Sequence, residues 1–326
     1  MREGSGKLAL EASPVPAGGH PKQSRSSKTL RQIVRNWRLY VFMAPALLTV
    51  LIFSYLPMYG IQIAFKNYIP AFGMGGSEWI GWDHFTRFFN SYYFWDLLWN
   101  TLSISLYGLA VGFPLPILLA LAFNEIRVGK FKKTVQTVTY APHFISTVVM
   151  AGMIITFLSP SSGMVINLLE ALGISAPNFL TDPRWFKTMY VFSEVWQTTG
   201  WGTIIYLAAL SAVDPGMHEA AILDGASRMQ RIRHINIPVI LPTITILMIL
   251  NVGSLLSVGY EKILLLQNPL NMSSSDVIAT FVYRVGLLEA QYSYSTAVGL
   301  FNSVVNAILL IAINQVVRRT SENSLW

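Results

Sequence analysis

The chain has 326 residues, 53% of them hydrophobic and 12% charged, with a mean hydropathy of +0.47 and a formal net charge of +7. A soluble domain carries about twice that charged fraction, so the composition points to a membrane protein. There is no cysteine, which excludes disulfides, thiolate metal sites and cysteine nucleophiles.

Residues 1–37 read as a disordered, basic cytoplasmic tail. Gly4, Gly6, Pro14, Pro16, Gly18, Gly19 and Pro21 break any helix there, and Lys22, Arg25, Lys28, Arg31 and Arg35 precede the first apolar run. That run is too long for the apolar core of a cleaved signal peptide and has no small-residue cleavage site, so it reads as a retained membrane helix.

The expected fold is all-α: a polytopic membrane protein with six transmembrane helices, at about 39–65, 97–123, 134–158, 188–212, 236–259 and 295–317. Residues 38–320 make up one transmembrane domain, and 321–326 are a short cytoplasmic end. The sequence has no repeat and no separate soluble domain. Direction follows from Lys and Arg. Arg127, Lys130, Lys132, Lys133, the arginines of 228–233, Arg318 and Arg319 fall on the side of the N-terminal tail. Both termini are therefore expected in the cytoplasm. The positive charge is an inside bias and not a polyanion-binding surface, which removes the nucleic-acid reading.

The first external connection carries Trp79, Trp82, Tyr92, Tyr93, Trp95 and Trp99. Aromatics at that density suit the membrane interface, and they also suit a docked partner. In the second span, Gly108, Gly112, Pro114 and Pro116 predict close packing or a kink.

Polar residues inside the spans carry more information, because hydrocarbon penalises unpaired polar groups. Span four holds Glu194, Trp196, Gln197 and Trp201; span six holds Asn302 and Asn306. In span five, Asn251, Ser254, Ser257 and Tyr260 recur at three-residue spacing, which predicts one helix face. These groups either hold helices together or line an aqueous path for a hydroxyl-rich solute. As a set, the span-five row favours the path.

Enzymatic chemistry finds little support. No Gly-x-x-x-x-Gly-Lys-Ser/Thr phosphate loop is present, and His20, His84, His143, His218 and His234 do not fall in metal-ligand spacing. No metal or other cofactor is expected on this chain.

The stretch 214–236 is a polar, basic island between apolar runs. Asp214 caps a helix that Pro215 opens, Gly225 supplies a left-handed stop, and Ser227 caps a second helix with Arg228, Arg231 and Arg233. Pro238 and Pro242 mark the return to an apolar helix.

Within it, Glu219-Ala220-Ala221, Gly225, Ile235 and Pro238 resemble the EAA loop of binding-protein-dependent ABC importer permeases. Ile237 and Ile232 depart mildly from that pattern. The resemblance runs from about Trp37 to the C-terminus. Phe65-Lys66-Asn67-Tyr68, Asn100-Thr101-Leu102, Asn124-Glu125-Ile126-Arg127 and Pro142-His143-Phe144-Ile145-Ser146 resemble its complex-carbohydrate branch, in which alginate-importer and polygalacturonate-type permeases are candidates. The resemblance implies a type I ABC importer permease in the bacterial inner membrane. It implies a homologous second permease subunit, two cytoplasmic ATPase subunits that hold ATP and Mg, an extracytoplasmic solute-binding protein and an oligosaccharide substrate. It also implies that Glu219, Ala220, Ala221, Asp224, Gly225 and Ala226 dock on an ATPase. A secondary transporter and a membrane component of polysaccharide processing are the alternatives. The external loops are not basic, so the sequence by itself does not support an acidic sugar.

Overall fold

The computed structural model describes residues 35–126 and 129–320. The tail up to residue 34, Arg127 and the end segment 321–326 lie outside the described residues. The chain divides into two compact units, one ending at Gly60 and the other starting at Ile61. In the first, helix α1 (Trp37–Val50) continues into a π-helical turn, Leu51–Tyr55. Pro45 lies inside α1, which continues past it to Val50, and the Thr49 hydroxyl donates to the Pro45 carbonyl at 2.9 Å.

Among the described residues of the second unit, the regular structure is helical apart from one antiparallel pair, β1 (Lys66–Asn67) with β2 (Glu78–Trp79). Helix α2 (Asp83–Phe89) is followed by α3 (Phe94–Gly112) and α4 (Pro114–Glu125). After them come α5 (Lys130–Tyr140), α6 (Thr147–Phe157) and α7 (Met164–Ala171). The long α8 (Pro183–Leu210) leads to α9 (Pro215–Leu223) and α10 (Arg228–Arg231). Then follow α11 (Ile237–Gly253), α12 (Tyr260–Leu266), α13 (Ile278–Tyr283) and α14 (Tyr292–Thr320).

Among the described residues, four helical runs are long and apolar enough to cross a membrane, and a fifth is a helix pair bent by 98°. The six-span expectation is therefore matched only roughly, in two places for physical reasons. The expected span 134–158 is the bent pair. Its break is a 3-10 turn over Ala141–Phe144, where Pro142 cannot continue the α-helical ladder and Ser146 caps the next helix by accepting from the Val149 amide. The expected span 188–212 is α8, long enough at 28 residues but not among the four most apolar runs. It packs against α3, α4, α5 and α11, and a helix that faces protein on several sides has no need of a lipid-facing composition.

The core follows α8. Phe186, Met189, Tyr190, Val191 and Val195 pack with Ile104 of α3, Met150 of α6 and Ile263 of α12. Nearer the C-terminal end of α8, Tyr206 and Leu210 meet Ala120 and Leu121 of α4 and Ile240 of α11. Gly200 marks the closest approach: a β-carbon there would collide with the Thr139 carbonyl oxygen of α5. The connection from Glu261 to Glu289, polar in sequence, is folded by its amides. Asn100 donates to the carbonyls of Ser273 and Asp276, Asn271 donates to those of Leu180 and Leu266, and Arg284 pairs with Asp276 at 2.6 Å.

Candidate functional site

Two places gather the residues singled out in the sequence. The first is the loop 214–236. Asp214 accepts from the Gly216 amide at 2.9 Å and opens α9. The helix closes in a Schellman motif: the Gly225 amide reaches the Ile222 carbonyl, the Ala226 amide reaches the Ala221 carbonyl, and Gly225 takes φ +77°. Ser227 and Gln230 then form a reciprocal capping box that starts α10. Arg231 turns back to the Ala226 carbonyl and to Glu125 at the end of α4, so it braces the loop from within. Glu219, Ala220, Asp224 and Gly225 are exposed, and Ala221 and Ala226 are half-buried. Met217, Ile222 and Met229 are exposed as well, and Leu223 is 87% exposed. A polar loop that leaves four large apolar side chains bare presents a surface for contact.

A π-helical turn, Ile232–Asn236, joins α10 to α11, where Pro238 sits in the first turn and Pro242 inside the helix. Turns of this kind gather at functional positions.

The second place lies along α8. A cavity of about 490 Å³ is walled by Gly108 and Gly112 of α3, by Glu194, and by Asn251, Ser254 and Ser257. A second, of about 500 Å³, is walled by His143, Gln197, Tyr260 and Lys262. Tyr190, Glu194, Thr198 and Gly259 line both. Glu194 therefore stands in the partition, and its carboxylate meets the Lys262 ammonium at 3.0 Å.

The expectation of one helix face for Asn251, Ser254, Ser257 and Tyr260 is corrected. Helix α11 ends at Gly253, Ser254–Ser257 is a turn, and Tyr260 begins α12. The spacing does not act as a helical stripe because Asn251 and Ser254 spend their side chains on the Leu247 and Leu250 carbonyls at the helix end. Three of the four still reach one cavity, as a helix end plus a turn. Tyr260 lines the other and stacks on Tyr283, ring centres 5.7 Å apart.

The remaining polar residues divide. Gln197 donates to the Ile145 carbonyl at 2.7 Å, replacing the helical bond lost at the break. Asn306 accepts from the Leu256 amide and donates to Ser257, pinning the turn to α14. Both hold helices together. Trp201 stacks on His143, centres 4.6 Å apart, while Trp196 is half-exposed and lines neither cavity. Asn302 lies in a separate cleft with Tyr68, Tyr260, Tyr283 and Tyr292. Sequence reading missed Lys262, Tyr190 and Gly259. Lys262 carries one signal: it is a lone cation before the apolar run Ile263–Leu266.

Residues 112–322 match the family model described as the binding-protein-dependent transport system inner membrane component. The chain belongs to this family. It is a multi-pass, inner-membrane permease component of an ABC importer, a transport component and not itself an ATPase. Among curated relatives, Protein LplB of Bacillus subtilis is 44% identical over 88% of this chain and 91% of its own length. The polygalacturonan/rhamnogalacturonan transport system permease protein YteP of the same organism is 41% identical over 94% and 95%. A solved bacterial alginate ABC transporter, in complex with an alginate pentasaccharide-bound periplasmic protein, contains a chain that is 43% identical. That chain superposes with a TM-score of 0.83 over 90% of this chain and 99% of its own. The family's model covers the loop 214–236, the break at Pro142, the whole of the second cavity and the part of the first that follows residue 111.

Proposed function

We propose that this permease carries an acidic oligosaccharide across the inner membrane, driven by ATP hydrolysed, with Mg, on two partner subunits. The observation that carries the coupling is the loop 214–236: a rigidly capped, outward-facing helix pair with Glu219 and Asp224 beside bare Met217, Ile222 and Leu223. Such a surface fits an ATPase groove. Ala220 and Ala221 allow close approach, Glu219 pairs with a cation, and Gly225 fixes the angle between α9 and α10. Arg231 and the π-helical turn pass movement of that pair into α4 and α11.

The solute path runs past the two cavities of α8. Glu194, Asn251, Ser254, Ser257 and Tyr260 offer hydrogen-bonding groups among apolar spans, and Tyr260 offers a ring face to a sugar. An acidic substrate is supported by the relatives, whose names refer to polygalacturonan, rhamnogalacturonan and alginate. A solute-binding protein delivers the substrate from outside, and a homologous second permease completes the path. Residues 1–37, the loop 214–236 and the C-terminal end 321–326 face the cytoplasm, flanking the permease domain 38–320. The test is ATPase stimulation in the purified complex across neutral and uronate oligosaccharides loaded on the cognate binding protein. Stimulation by uronate chains is expected; stimulation by neutral chains alone would overturn the acidic assignment.

A further inference from the structure

The pair between Lys262 and Glu194 is unequal. The lysine side chain is 5% exposed and the glutamate side chain 46% exposed. Lys262 rides on α12, embedded beside Ile263 and Leu266 in the core, and its ammonium sits 5.5 Å from the Tyr190 ring centre. Glu194 projects into the partition between two cavities. A buried ammonium without a partner is costly, so Lys262 keeps a carboxylate at all times. Nothing holds that carboxylate to be the one from Glu194, which already stands half in the open.

We propose that Lys262 is the specificity-determining residue for acidic sugars, and that it takes the carboxylate of a uronate residue in exchange for that of Glu194. The inference rests on the acidic-oligosaccharide reading and deepens it. An ammonium has three donors, and one goes to Glu194. An incoming carboxylate can therefore bind before Glu194 leaves. The Tyr190 ring supplies a second electrostatic partner and holds the ammonium in place meanwhile. The exchange conserves charge: one carboxylate replaces another at the buried cation, and Glu194 moves into the aqueous cavity it already borders. A neutral sugar offers no replacement, so the pair stays closed across the partition.

Glu261, exposed on the rim of the same cavity, sharpens the choice. It repels any carboxylate that enters this cavity, so one bound there needs the Lys262 ammonium to offset that repulsion. Specificity then comes from one attractive and one repulsive group, and the external loops need no positive charge.

The experiment uses the full complex and a uronate oligosaccharide paired with its carboxyl-reduced, neutral counterpart. In the wild type, half-maximal ATPase stimulation should come at a concentration about tenfold lower for the uronate chain, the scale of one charge contact. Lys262→Met should bring the two chains to within roughly twofold of each other. Lys262→Arg should restore the preference. Glu194→Gln removes the competing carboxylate and should lower the uronate half-maximal concentration further. A Lys262→Met complex that keeps the preference, or that loses both chains equally, would overturn the proposal. Should Lys262→Met fail to assemble, a Glu194→Gln complex in which both chains weaken together would overturn it as well. A wild type that responds to the neutral chain alone would instead remove the acidic reading on which it rests.

Discussion

Single residues set the geometry of both sites. Gly225 holds φ +77° with open space around its α-carbon. A β-carbon there meets nothing within 4 Å, so its cost is that of the left-handed backbone, about 1–2 kcal/mol. Gly225→Val should leave the helices inserted, yet shift α9 against α10. Pull-down of the ATPase subunits should fall, and the hydrolysis that remains should lose its response to substrate. Gln197 acts differently. Its amide is the partner of the Ile145 carbonyl, freed by the turn at Pro142. Gln197→Leu keeps similar bulk and removes the donor to a partly buried carbonyl, which costs about 1 kcal/mol. The detergent-solubilised protein should melt at lower temperature, and an unchanged melting temperature would contradict the bracing role.

At the scale of elements, the α5–α8 crossing depends on Gly200, and Gly108 of α3 provides a control. A β-carbon at Gly200 strikes the Thr139 backbone, whereas one at Gly108 meets nothing. Gly200→Leu should abolish a monodisperse complex on size exclusion, and Gly108→Ala should preserve it. How much the sequence tells also divides by element. The caps at Asp214 and Ser227 and the stop at Gly225 were legible because each is closed within a few residues of chain. The row Asn251 to Tyr260 misled because periodicity says nothing of where a helix ends. Here the end falls at Gly253, whose β-carbon would press into Leu310 of α14. The ion pair of Glu194 with Lys262 spans 68 residues of sequence, and no local signal joins them. Helix α8 is less apolar than the four strongest spans because it carries Glu194 and Gln197 and packs against α3, α4, α5 and α11.

At the scale of the whole molecule, the account is one of a cytoplasmic coupling surface driving an internal path. The positive-inside bias predicts a cytoplasmic loop 214–236, and the absence of cysteine makes the prediction simple to check. Ser227→Cys should react with a membrane-impermeant thiol reagent only after the cells are opened. Labelling from outside intact cells would invert the topology. The central claim is that ATP hydrolysed on partner subunits moves an acidic sugar through this chain. Its most direct measurement is uptake of a labelled uronate oligosaccharide into proteoliposomes holding both permeases and the ATPases, with loaded binding protein outside and ATP within. The account predicts accumulation that stops without ATP, without the binding protein, or with Gly225→Val. Accumulation that persists without ATP or without the ATPase subunits would contradict it.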